Sequence, residues 1–207
     1  MDALLVIDVQ NDFLPGGALP VTNGDEVIPV INSIQHRFDL VLATQDWHPR
    51  THGSFAVNHP NRVPGDVIEL NGIPQVLWPV HCVQGTVGAD FATALQTEKF
   101  RKVFKKGTDP ELDSYSGFFD NGKKRSTGLA DYLRDRQVDR IFLCGLATDY
   151  CVKFSGLDSV EAGLETILLE DACRGVDLQP GDSRRAIEAM RTAGVKITRS
   201  TDLESIK

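Results

Sequence analysis

The 207-residue chain is most informative first for what it lacks. No apolar run approaches the roughly 20 residues that a membrane-spanning helix needs. The opening "MDALLVIDVQ" has no basic leader and no cleavage pattern, so the expected location is the cytoplasm. Basic residues are outnumbered, 22 Lys and Arg against 29 Asp and Glu, for a net charge of −7. Phosphate-backbone affinity comes mainly from Lys and Arg, so a nucleic-acid partner is not expected. The four cysteines form no CxxC pair, which leaves reduced thiols as the default state. There are no internal repeats and no low-complexity tracts. With no heptads and no interface signature, a homo-oligomer stays open.

The composition is that of a globular protein with a substantial core: 41% apolar and 25% charged residues. The length fits one compact domain over residues 1–207. Six short runs have strand character: 3–8, 40–45, 102–107, 140–145, 166–171 and 195–200. Most are continuously apolar, as strands covered on both faces are. Helical stripes lie between several of them. Val27, Val30, Ile31 and Ile34 form one, Leu129, Tyr132 and Leu133 a second, and Ala186, Ile187, Met190 and Ala193 a third. Asp182 or Ser183 is the expected cap of the third, and Gly194 its stop. This alternation predicts an α/β fold: a doubly wound, six-stranded, mainly parallel sheet with helices on both faces. Residues 47–99 break the rhythm as a long, proline-rich insertion without a long strand. Within it, 88–96 is a candidate helix.

Chemistry in open parallel sheets gathers beyond the carboxyl ends of the strands. Asp8, Asp46, His48, Lys106, Cys151 and Asp171 all fall at or just past expected strand ends. In "GLATDYCV", Cys151 falls in the first turn of an expected helix, capped by Thr148 or Asp149. A helix N-terminus lowers a thiol pKa and offers N–H groups to an oxyanion. Alone, such a cysteine is more often a packing residue. Asp8 and a lysine from neighbouring strands would supply a base and a counter-charge. Spacing does not choose between Lys105 and Lys106, because strand neighbours face opposite ways. Asp46, His48 and His81 form a possible facial metal set, with a polar loop as the plain alternative. Cys144 and Cys173 look structural, His36 a surface residue and His59 a loop residue.

Taken together, "LLVIDVQNDFLPGGAL", "TQDWHPRTHGSF", "WPVHCVQGTVGADF", "KKGTDPELDSYSGF" and "GLATDYCV" resemble the nicotinamidase branch of the isochorismatase-like cysteine hydrolases. The resemblance implies hydrolysis of nicotinamide to nicotinate and ammonia in NAD salvage, through a cysteine thioester, with pyrazinamide as a further substrate. It implies Asp8, Lys106 and Cys151 as the catalytic set, and it selects Lys106 over Lys105. It implies a cis Leu146–Ala147 peptide, and an oxyanion hole from the N–H groups of Ala147 and Cys151. Phe13, Trp78, Tyr115 and Leu146 are the implied substrate-binding residues. One divalent metal per chain is implied, with zinc first and iron(II) or manganese(II) as options. Its ligands would be Asp46, His48, His81 and Ser54; His52 is the alternative to Ser54. Two rival functions arise from the same residues: a metal-independent isochorismatase-like or carbamoyl-amide hydrolase, and a catalytically silent ligand-binding protein. The metal set argues against the first, and Cys151 against the second.

Overall fold

A computed structural model describes residues 1–206. Its centre is a six-stranded sheet in the order β5-β2-β1-β6-β7-β8. The strands are β1 (Asp2–Ile7), β2 (Leu40–Asp46), β5 (Phe100–Lys106), β6 (Arg140–Leu146), β7 (Glu165–Arg174) and β8 (Lys196–Thr198). Every pairing in this sheet is parallel. Ala3 to Ile7 of β1 are wholly buried, because helices cover both faces.

The pleat sorts side chains between two cores. Leu4 and Val6 join Val41, Ala43, Phe142 and Ile167 on one face, beneath Val27, Ile28, Ile31 and Ile34 of α1 (Val27–Ile34). Ala3, Leu5 and Ile7 join Leu42, Phe104, Ile141 and Leu143 on the other. There they meet Leu129 and Leu133 of α2 (Leu129–Asp135) and Met190 of α4 (Asp182–Ala193). Each fully buried Leu or Ile contributes about 1.5–3 kcal/mol through loss of apolar surface from water. Gly194 ends α4 in a left-handed conformation at φ 107°, as the sequence predicts. α3 (Lys153–Glu161) follows β6.

Three local expectations are corrected, and one hairpin is added. Residues 88–96 do not form a helix; only a three-residue 3₁₀ turn, Val87–Ala89, occurs there. The insertion instead holds an antiparallel hairpin, β3 (Val67–Leu70) with β4 (Ile73–Val76). Its strands are short and half exposed, so they lack an apolar signature, but Asn71-Gly72 at φ 51° and 81° is the turn such a hairpin needs. Asp171 does not close a strand, because β7 runs on to Arg174, and its carboxylate accepts from Ser200 N at 2.8 Å and Ser200 Oγ at 2.6 Å. Asp182 is the first residue of α4 and follows Gly181 at φ 84°; its side chain accepts from Gln179 N, upstream of the helix.

Candidate active site

Three parallel strands end at the same edge of the sheet and deliver three groups to one point. β1 ends before Asp8, β5 ends at Lys106, and β6 leads through Ala147 into a π-helical turn, Thr148–Val152, that holds Cys151. Lys106 Nζ lies 2.8 Å from Asp8 Oδ2 and donates to Cys151 Sγ at 3.3 Å. It also donates to Ser114 O at 3.1 Å and pairs with Asp46 Oδ1. Thr44 Oγ1 donates to Asp8 Oδ1 at 2.6 Å. Asp8 Oδ2 is buried against the Lys106 ammonium, and a ligand atom of Asp8 and Cys151 Sγ lie within 4.8 Å of each other. Asp8 and Lys106 are 0% and 2% exposed.

Burial sets the proton affinities here. It holds the Asp8 carboxyl above its ordinary value, with Lys106 pulling down and Asp46 pushing up. Burial also pushes the Cys151 thiol well up; Lys106 opposes this and Asp8 and Asp46 add to it. The expectation of a thiol depressed by a helix terminus is therefore corrected. Cys151 sits in a buried π-turn, no side chain caps that turn, and Asp149 instead accepts from the N–H groups of Val176 and Asp177. Burial would discharge Lys106, but Asp46 and Asp8 outweigh it and keep the ammonium well above its usual range.

Beside this trio, Asp46, His48 and His81 bring one ligand atom each within 4.8 Å of one another. Gln10 clamps the Asp46 backbone, accepting from its N–H and donating to its carbonyl, each at 2.8 Å. Asp12 accepts from Cys82 N at 2.7 Å and so fixes the turn after His81. His48 N donates to Cys82 O and Gln84 N to His48 O, which ties the two histidine loops together. His48 Nδ1 donates to Gly107 O at 2.9 Å and His81 Nδ1 to Pro79 O at 2.8 Å. Both Nε2 lone pairs then face Asp46 Oδ2, at 3.5 and 3.9 Å. Three acceptors this close repel unless a proton or a cation lies among them. Burial lowers His48, but Asp46 outweighs it and raises the ring above its normal value. Burial and then His48 drive His81 down to about 4. The donor set fits a divalent cation.

Ser54 and His52 form a separate pair. Ser54 N donates to His52 Nδ1 at 3.2 Å, which makes that nitrogen an acceptor, so the Ser54 hydroxyl at 2.7 Å also donates to it. His52 Nε2 is buried without a hydrogen-bond partner. Its ligand atom groups with His48 and Asp113, not with the full Asp46, His48 and His81 set.

A cavity of about 380 Å³, open mouth included, reaches both groups. Its wall includes Phe13, Trp78, Tyr115, Ala147 and Cys151, together with Asp46, His48 and His81. Trp78 Nε1 donates to Tyr115 Oη at 3.2 Å, and Trp78 meets Tyr150 edge-on. The Leu146–Ala147 peptide is cis. Leu146 itself is fully buried in the core and is not among the residues of the cavity wall. Lys105 points away, exposed, with Nζ 3.5 Å above the Trp47 ring. His36 is exposed, and His59 Nε2 bonds Gly53 O on a loop. Thr44, Asp113 and Tyr150 are further residues of the site. Thr44 is the first polar residue in an apolar strand, a visible signal, whereas Asp113 and Tyr150 carry none of their own.

Residues 2–202 match the isochorismatase domain family. The chain is 46% identical to the nicotinamidase of Escherichia coli over 98% of its own length and 96% of that protein. The chain belongs to the isochorismatase family, in its nicotinamidase branch. A solved nicotinamidase/pyrazinamidase of Acinetobacter baumanii superposes with a TM-score of 0.95 at 45% identity, covering 98% of this chain and 97% of that one. The pyrazinamidase of Pyrococcus horikoshii, solved in complex with zinc, gives a TM-score of 0.78 at 40% identity, covering 96% and 98%. Family membership and the sheet edge agree: the shared fold brings the ends of β1, β5 and β6 into one pocket.

Proposed function

We propose that this protein hydrolyses nicotinamide to nicotinate and ammonia, a step of NAD salvage, with pyrazinamide as an alternative substrate. The observation that carries the mechanism is Lys106 Nζ, 3.3 Å from Cys151 Sγ and 2.8 Å from Asp8 Oδ2. Cys151 rests as a protonated thiol. Asp8 takes its proton as sulfur attacks the amide carbonyl, and Lys106 keeps the resulting charges paired. The N–H groups of Ala147 and Cys151 receive the oxyanion. Protonated Asp8 then gives its proton to the departing ammonia. A thioester remains; water, deprotonated by Asp8, attacks it, and Asp8 returns that proton to the Cys151 thiolate as the carboxylate leaves. Phe13 and Trp78 hold the ring from the cavity wall, with Tyr115 fixing Trp78.

Asp46, His48 and His81 would hold one divalent ion, with Ser54 as the fourth protein ligand, and zinc is the proposed metal. Bound there, the ion supplies a Lewis-acidic anchor for the pyridine nitrogen. We read residues 1–207 as one cytoplasmic hydrolase domain. The test is ammonia release from nicotinamide by wild type and Cys151→Ala. Release by the wild type alone is expected. Release by both at equal rates overturns the mechanism, and release by neither overturns the substrate.

A further inference from the structure

Asp113 is a buried carboxylate that the mechanism leaves without a task. It is 3% exposed and lies in the wall of the same cavity as Cys151. Its Oδ1 accepts from Ser114 N at 2.8 Å and its Oδ2 from Gln75 Nε2 at 2.9 Å. Both donors are neutral. Among the described residues no cation lies within ion-pair range of it. Lys106, the one ammonium in the site, is already shared between Asp8 and Asp46. A buried charge without a counter-ion is costly and calls for a reason. Its hydrogen bonds come from Ser114 and Gln75, not from Asp8, Lys106 or Cys151.

The charge of Asp113 reaches the whole pocket. Its carboxylate lies within 4.8 Å of a ligand atom of His48 and of His52. It opposes the burial that drives His52 and His81 down, and it adds to the burial that raises Tyr115. Asp8, Asp46 and Asp113 set three carboxylates against the one Lys106 ammonium in formal charge, and one bound divalent cation would bring that balance to neutral. That balance suits an uncharged amide. Its product, a carboxylate, then enters a pocket that offers it no net positive charge. Without Asp113 the loaded pocket would carry one positive charge and would retain the product.

We propose that Asp113 sets the charge selectivity of the cavity, favouring uncharged ring carboxamides and expelling their carboxylate products. The inference deepens the proposed function and rests on it for the identity of the ligands. At an effective dielectric of about 20, one charge at pocket distances shifts relative affinity by about ten-fold or more.

The test compares two ligands of similar shape by calorimetry on metal-loaded protein: nicotinate, which is anionic, and 3-methylpyridine, which is neutral and does not react with thiols. In Asp113→Asn and Asp113→Ser, nicotinate is expected to gain at least about ten-fold over 3-methylpyridine relative to wild type. Asp113→Glu keeps the charge and is expected to keep the wild-type ratio. Product inhibition in the Asn variant should rise in step. An unchanged ratio in both neutral variants, or an equal loss for both ligands, overturns the proposal and leaves Asp113 a structural residue. Thermal melts identify which variants are folded, and the affinity ratio is read from a folded one. Because the ratio is read from binding, wild type that releases no ammonia from nicotinamide would sink the proposed function without moving this result.

Discussion

Thr44 Oγ1 donates to Asp8 Oδ1 at 2.6 Å, and the other oxygen, Oδ2, pairs with Lys106 Nζ at 2.8 Å. The bond favours the charged carboxylate, so it lowers an Asp8 pKa that burial raises. In Thr44→Val the acid limb of the kcat/KM profile should move to higher pH, because the base must be ionised to act. The rate at the optimum should fall about ten-fold, as the carboxylate loses its fixed orientation. A pH–rate profile that superposes on wild type would separate Thr44 from Asp8.

The cysteines offer a contrast between chemistry and packing. Cys151→Ala should lower kcat/KM by at least about a thousand-fold with little change in melting temperature. Cys144 is fully buried mid-strand, with Sγ 3.7 Å from Leu5 O. Cys144→Ala should retain turnover and lose about 1 kcal/mol of stability. Reversed outcomes in ammonia assay and denaturant titration would reassign the nucleophile.

Lys106 and Lys105 are neighbours with opposite fates. Lys106→Ala removes the one cation between Asp8 and Asp46, so turnover should vanish and stability should fall by about 3–5 kcal/mol. Lys105→Ala loses an exposed cation above Trp47 and should cost less than about 1 kcal/mol, with near-normal activity. Equal losses in both variants would refute this division of labour.

Metal retention tests the ligand set. Purified protein should hold about one divalent ion per chain. Chelation should suppress activity, and added metal should restore it. His48→Ala and His81→Ala should each lose most of the ion, and Ser54→Ala less, because water can replace a neutral oxygen. His52→Ala should retain the ion, since the His52 ligand atom does not join the Asp46, His48 and His81 set. Elemental analysis of the four variants in parallel decides the matter. If His52→Ala is empty while Ser54→Ala is full, His52 becomes the fourth ligand.

Much of this site was legible because parallel sheets put their chemistry at one edge. Asp8, Lys106 and Cys151 could be expected to meet, because each lies at or just beyond the end of a strand-like run. Other parts depend on packing that no local pattern records. The thiol pKa is a sum of burial and three neighbouring charges, so a helix-terminus argument from "TDYC" gave the wrong direction. Asp113 becomes notable only once its lack of a cation is visible in space. Asp171 was misplaced because β7 continues through a register shift against β6. The β3–β4 hairpin, like Thr44, had an unused signal, its Asn-Gly turn.

The strand order has a consequence for how the chain is made. β1 is synthesised first but lies between β2 and β6, and Ala3 to Ile7 pair with Ile141 to Gly145. On the ribosome, one edge of the most apolar strand must wait for more than half the chain to appear. A bare parallel edge of this kind is a template for foreign pairing. The arrangement that puts Asp8 beside Cys151 in the finished sheet therefore makes the nascent protein dependent on protection until β6 emerges.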